Sequence, residues 1–212
     1  MDAASLVELL VADLPAAWAA AGFKVDPDGG CQIGSVRVRL VGREHGMGII
    51  GWSLLGLPQG WGGDIDGIPT DVAGPDSQQR AVHPNGVISI DHVVLLSPDL
   101  NRTVLALAAI GATPRRERDG VLGGQKIRQI FFRLGEVIVE LIGSLNTSAE
   151  GPSTLWGITY VVKDIDATAS YFGSATSEVK DAVQPGRRIT TLRHREFDLS
   201  VRTALISPHV RA

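Results

Sequence analysis

Two stretches decide how this chain folds: Ile90-Asp91-His92-Val93-Val94-Leu95-Leu96-Ser97-Pro98-Asp99-Leu100-Asn101-Arg102-Thr103, and Leu155-Trp156-Gly157-Ile158-Thr159-Tyr160-Val161-Val162-Lys163-Asp164-Ile165-Asp166-Ala167-Thr168. Each is an apolar strand, then an Asp suited to cap a helix, then the start of an amphipathic helix. Placing Asp99 on Asp164 sets His92 against Gly157. Further on, Val139-Glu140-Leu141-Ile142 matches Thr203-Ala204-Leu205-Ile206, so Glu140 corresponds to Ala204. The first copy keeps a His and a Glu at strand positions. The second has nothing at either that can bind a metal or move a proton.

Working outward, the helix after Asp99 has Leu100, Val104, Leu107 and Ala108 on one face and ends at Gly111. Arg115 to Asp119 reads as a charged turn. Lys126 to Leu134 and Glu136 to Ile142 read as strands. In the second copy the helix runs from Asp164 to Gly173, and strands are expected over Arg188–Arg193 and Leu199–Ile206. A β-α-β-β-β order is therefore expected twice. Nearer the N-terminus, Pro15 to Gly22 reads as a helix, followed by strands at Ser35–Val41 and Met47–Leu57. Residues 5–12 suit either a strand or a helical turn, with the density of Leu and Ala inclining the reading to helix. Residues 58–86 are rich in Gly and Pro and read as a linker or a lid. The fragment Asp64-Ile65-Asp66-Gly67 lacks the remaining ligands of a calcium loop and reads as a turn.

The composition is that of a soluble globular chain: 212 residues, 44% hydrophobic and 20% charged. A net charge of -3 gives no electrostatic case for nucleic acid. Cys31 is the only cysteine, which leaves no disulfide framework and no cysteine-based zinc site. No run is long enough to span a bilayer, and no Lys or Arg precedes the first apolar stretch as it would in a signal peptide. The expectation is a cytoplasmic protein without membrane or nucleic-acid partners.

The doubled β-α-β-β-β order over residues 87–208, with His92 on a first strand and Glu140 on a fourth, resembles the vicinal oxygen chelate superfamily. That superfamily includes glyoxalase I, extradiol dioxygenases and bleomycin-resistance proteins. The resemblance implies an α+β fold of repeated βαβββ modules, their curved mixed sheets paired to enclose a cleft. The N-terminal segment resembles a further, partial copy. Three regions are expected: a partial module over 1–57, the linker or lid over 58–86, and a paired glyoxalase-like domain over 87–208. An odd number of modules leaves a sheet edge without an internal partner, so a homodimer is expected.

Metal-using relatives take ligands from first and fourth strands of both modules. Here that transfer yields His92 and Glu140 alone. Imidazole and carboxylate suit Zn, Fe or Mn, but zinc normally takes at least three protein ligands. His45, His83, His194 or a second chain would have to supply the remainder. The cofactor is thus either none or a divalent metal. A buried His–Glu hydrogen bond and a metal-free acid–base pair are the other readings of the same two residues. Gln129 shares a strand face with Ile127 and Phe131 and suits a polar contact in an apolar pocket. Trp156 suits a cleft wall or the core. Arg187 and Arg188, after Pro185-Gly186, suit a carboxylate or phosphate, or a solvated turn with a salt bridge. The function the resemblance implies is that of a glyoxalase-like small-molecule binding protein with a degenerate metal site. The alternative is a metal-dependent lyase or dioxygenase using His92, Glu140 and a ligand from elsewhere.

Overall fold

The structure, a computed structural model, describes residues 4–74, 81–145 and 149–209. The first strand, β1 (Ser5–Val11), lies where the composition inclined the reading to helix. β1 runs parallel to β3 (Val36–Leu40) and antiparallel to β4 (Ile49–Leu55), so both its edges are paired. Leu6, Leu9 and Val11 are buried, and so is Glu8, which is held by Arg39 and by the Ser53 hydroxyl. A strand covered on both sides shows no clean alternation, which is why its run looks helical. Between β1 and β3 come α1 (Pro15–Ala20) and β2 (Gly30–Ile33).

Within the Gly/Pro-rich stretch, β5 (Thr70–Val72) adds in parallel to β4. Ahead of it a tight turn closes between Ile65 and Ile68. At its tip Asp66 has φ 51° and accepts from the Ser153 hydroxyl at 2.6 Å, from Thr103 and from Arg102. That carboxylate ties the turn to the start of the second helix.

The central module is β6 (Val87–Leu96), α2 (Leu100–Ala108), β7 (Arg116–Leu122), β8 (Gln125–Leu134) and β9 (Val137–Ser144). The last is β10 (Thr154–Val162), α3 (Ile165–Phe172), β11 (Lys180–Asp181), β12 (Arg188–Leu192) and β13 (Arg202–Ile206). Asp99 and Asp164 cap their helices as expected: Asp99 accepts from Arg102 N, and Asp164 from Asp166 N and Ala167 N. Residues 116–119 are not a turn. They form the first half of β7, an edge strand whose charged side chains keep it from pairing further.

In each module the first strand runs parallel to the fourth, and β6 and β10 join the modules antiparallel. The ladders fix the repeat register. His92 pairs with Ile138 as Gly157 pairs with Arg202, and Val94 pairs with Glu140 as Thr159 pairs with Ala204. His92 and Gly157 are therefore equivalent positions, and so are Glu140 and Ala204. The architecture is α+β, a mixed sheet with few helices.

The two faces of this sheet differ. Val93, Leu95, Ile130, Phe132, Val139, Leu141, Ile158 and Tyr160 alternate inward and are buried in one core with Leu107, Trp18 and Phe23. The Phe23 ring packs at a tilt against Tyr160, 5.4 Å between centroids, so the N-terminal segment covers this face. The alternate residues His92, Leu96, Ile127, Gln129, Phe131 and Ile138 are only partly buried and make an open face. No helix among the described residues is long and apolar enough to cross a membrane.

Candidate functional site

His92 and Glu140 meet on the open face. His92 Nε2 lies 3.3 Å from Glu140 Oε2. They arrive there because β6 and β9 are adjacent and their register sets the two residues two positions apart, on the same face. The other imidazole nitrogen, Nδ1, lies 2.8 Å from Asp91 Oδ2. Neighbours along a strand ordinarily point to opposite faces. Here β10 has Thr159 opposite His92 and Tyr160 opposite Ile90, so Asp91 is the extra residue of a β-bulge. The bulge brings Asp91 alongside the ring.

Behind Asp91 sits Arg187, whose Nη1 is 2.7 Å from Asp91 Oδ1. Arg187 is almost wholly buried, with 2% of its surface exposed. It also donates from Nε to the Ser207 carbonyl at 2.8 Å and contacts His209 Nε2 at 3.2 Å, while its Nη2 has no hydrogen-bond partner among the described residues. Burial pushes the Asp91 carboxyl up, but the His92 and Arg187 hydrogen bonds and charges outweigh it and hold it below its ordinary 3.8.

In front of His92 the row continues across β9, β8 and β7. Glu140 Oε1 accepts from the Gln129 amide. Gln129 Oε1 accepts from Arg118 Nε at 2.6 Å. Arg118 Nη2 is 3.9 Å from Glu140 Oε1, and its guanidinium lies 5.3 Å from the Phe131 ring. The result is one line of contacts, Arg187–Asp91–His92–Glu140–Gln129–Arg118, from the last module into the central one. Asp91 Oδ2 takes the Nδ1 side of the ring, which leaves Nε2 facing Glu140 Oε2. The arrangement can present an oriented imidazole and a guanidinium to a molecule on the open face.

This donor set does not fit a divalent metal. Only two donors converge, His92 Nε2 and Glu140 Oε2, fewer than the three protein ligands zinc normally takes, and Glu140 Oε1 already carries a hydrogen bond from Gln129 and a nearby guanidinium charge. The equivalent positions in the last module are Gly157 and Ala204. A Cβ at Gly157 would stand 2.8 Å from the Arg202 carbonyl, so this backbone has no room for a ligand side chain there. His83 is spent elsewhere: its Nδ1 accepts from Lys24 N and its Nε2 meets the Gln32 carbonyl, both at 3.0 Å. Among the described residues no group of three or more His, Cys, Asp or Glu is arranged to hold a metal ion.

The remaining sequence-derived candidates separate. Gln129 joins the row. Trp156 is the extra residue of a second bulge, half-exposed, with the Arg202 guanidinium 4.6 Å from its ring. Arg187 lies behind the site, against Asp91. Arg188 is outside the row and pairs with the Asp166 carboxylate at 2.7 and 2.9 Å. Asp91, Arg118 and Arg202 are absent from the sequence-based set. Arg118 was legible in principle, since Arg116-Glu117-Arg118-Asp119 alternates in charge sign as a two-faced strand does. The Asp91 bulge has no signal in one sequence.

No family profile matches the chain. No curated protein matches it either. Solved structures do. A xylose isomerase-like TIM barrel/4-hydroxyphenylpyruvate dioxygenase fusion protein is 15% identical, covering 100% of this chain and 49% of its own, with a TM-score of 0.59. Methylmalonyl-CoA epimerase from Mycobacterium tuberculosis is 16% identical over 61% of this chain and 94% of its own, with a TM-score of 0.46. A mutant of 4-hydroxymandelate synthase from Streptomyces coelicolor is 15% identical over 98% of this chain and 71% of its own, with a TM-score of 0.42. This chain spans about half the length of the fusion protein. It has the fold of the vicinal oxygen chelate superfamily.

Proposed function

We propose that this chain is a glyoxalase-like small-molecule binding protein in which a hydrogen-bonded polar row stands where relatives hold a metal. The observation that carries this reading is the state of Glu140. One of its oxygens is engaged by His92 and the other by Gln129, and the matching positions of the last module are Gly157 and Ala204. The ligand lies on the open face, over His92, Gln129 and Phe131, with Trp156 at the far side. Every side chain of the row comes from residues 87–208. We take that span as the binding unit, residues 1–57 as its support, and the described part of the linker around residues 64–72 as a strap fastened by Asp66. A fold hosts many functions, so the names of structural neighbours supply a shortlist and no substrate.

A second reading keeps the metal: a lyase or dioxygenase in which His92, Glu140 and a donor from elsewhere bind a divalent ion. The convergence of His92 Nε2 and Glu140 Oε2 to 3.3 Å on one face favours it. A thermal-shift screen of small organic compounds against chelator-treated protein, repeated with Zn, Fe or Mn added, separates the two. Ligands that stabilise the chelated protein equally well support the binding reading. Ligands that act only with metal overturn it.

We also propose a homodimer, because β2 and β7 end the main path of the sheet as unpaired edges among the described residues. Light scattering at micromolar concentration tests this, and a monomer would refute it.

A further inference from the structure

The open face is electrically one-sided. Strand register places Arg116 and Arg118 of β7 over Phe131 and Gln129 of β8, and Arg133 beside Ile138 of β9. On the far side Arg202 of β13 pairs with Gly157. Against these four arginines the row on this face holds, among the described residues, two carboxylates, Glu140 and Asp91, and Asp91 is already matched by the buried Arg187. The acidic residues of β7, Glu117 and Asp119, fall on the opposite face, where Arg128 takes them at 3.9 and 2.8 Å. Among the described residues neither Arg116 nor Arg202 has an acidic partner within salt-bridge distance. The chain as a whole carries -3, so this positive face is opposite in sign to the molecule that bears it.

Arg118 is the best-formed anchor. Gln129 fixes its Nε at 2.6 Å, and the Phe131 ring lies 5.3 Å from the guanidinium carbon. Its plane is thereby set before any ligand arrives. With Nε taken, and Nη2 3.9 Å from Glu140 Oε1 and so beyond hydrogen-bond distance, the two terminal nitrogens keep donor capacity for an end-on, two-point grip on a carboxylate. Half-buried Ile127, Phe131 and Ile138 flank that position and suit an apolar body. Arg202 and Trp156 repeat the guanidinium-on-ring pairing across the face, with 4.6 Å between them.

Building on the binding reading above, we infer that the ligand is a small organic anion, with a carboxylate held end-on by Arg118 and a planar apolar body laid against Phe131. The anion takes the charge-neutralising contact with protein cations, where a metal would have offered one ion. Positive walls around a partly desolvated site also raise the local concentration of such a ligand.

The test uses the full-length, nitrogen-15-labelled protein with benzoate and its neutral counterpart benzamide. Side-chain resonances of Gln129 and Trp156 give the readout. Benzoate is expected to shift them at concentrations about 10-fold or more below those benzamide requires, as one charge-assisted contact implies. Arg118→Gln should erase that preference, and Arg128→Gln on the opposite face should leave it intact. Equal binding of both probes on this face would keep the binding reading and overturn the anion preference. A benzoate preference that survives Arg118→Gln would overturn Arg118 as the anchor. No shift from either probe would overturn both readings.

Discussion

Replacing Arg187 with Met should destabilise the protein by about 3 kcal/mol, the low end of the range for breaking a buried ion pair from one side. Asp91 and Arg187 are both nearly inaccessible, with side-chain exposures of 4% and 1%, and lie 2.7 Å apart. Methionine fills most of the volume but leaves the Asp91 carboxylate in the interior with His92 as its remaining partner. It also removes the donor to the Ser207 carbonyl. Two features keep the loss from the top of the range: Asp91 retains the 2.8 Å contact to His92, and Arg187 Nη2 already lacks a hydrogen-bond partner among the described residues. In an Asp91→Asn background the same substitution should cost only about 1 kcal/mol, a coupling of about 2 kcal/mol, because a neutral amide tolerates burial better than a charge. Urea unfolding of the four proteins measures this. The Asp91 carboxyl is held below its ordinary 3.8, so the stability it contributes is present above that pH and is lost as pH falls through the folded value. Arg187→Met should shrink that acid-dependent part. A loss under about 1 kcal/mol, or an equal loss in both backgrounds, would refute a buried ion pair that orients His92.

Burial pushes His83 below its ordinary 6.5, so between the folded and unfolded values the unfolded chain holds more protons. Stability should therefore fall as pH drops below about 6.5, and a urea series from neutral to mildly acid pH should show a shallower fall for His83→Asn. Gly157→Ala should destabilise by about 1–3 kcal/mol, because its Cβ would meet backbone at 2.8 Å, with a lowered thermal midpoint as the readout. Asp99→Ala and Asp164→Ala should each cost about 0.5–2 kcal/mol through loss of a helix cap, and denaturation of the two variants should give similar values.

The repeat was the most legible part of this protein. Period-two alternation around Glu140, the two capping aspartates and the offset between the copies survive in the strand registers, whereas the Asp91 bulge puts Ile90 and His92 on opposite faces. The first strand was not legible, since Leu6, Leu9, Leu10 and Val11 lie in a strand paired on both edges, where tertiary burial overrides the helical preference of the run. Arg116 to Asp119 looked like a turn because an edge strand with one wet face carries charge. The chemistry was legible in part. His92, Glu140 and Gln129 come together, while Asp91 reaches His92 only through a one-residue bulge, and Arg187 reaches Asp91 only through the fold of the last module. Sequence spacing encodes neither contact.

The central claim is that His92 and Glu140 belong to a hydrogen-bonded row and not to a metal centre. Elemental analysis of the purified protein beside His92→Ala tests it most directly. The account predicts no stoichiometric Zn, Fe or Mn in either protein. One equivalent of metal in the wild type that is lost in His92→Ala would contradict it.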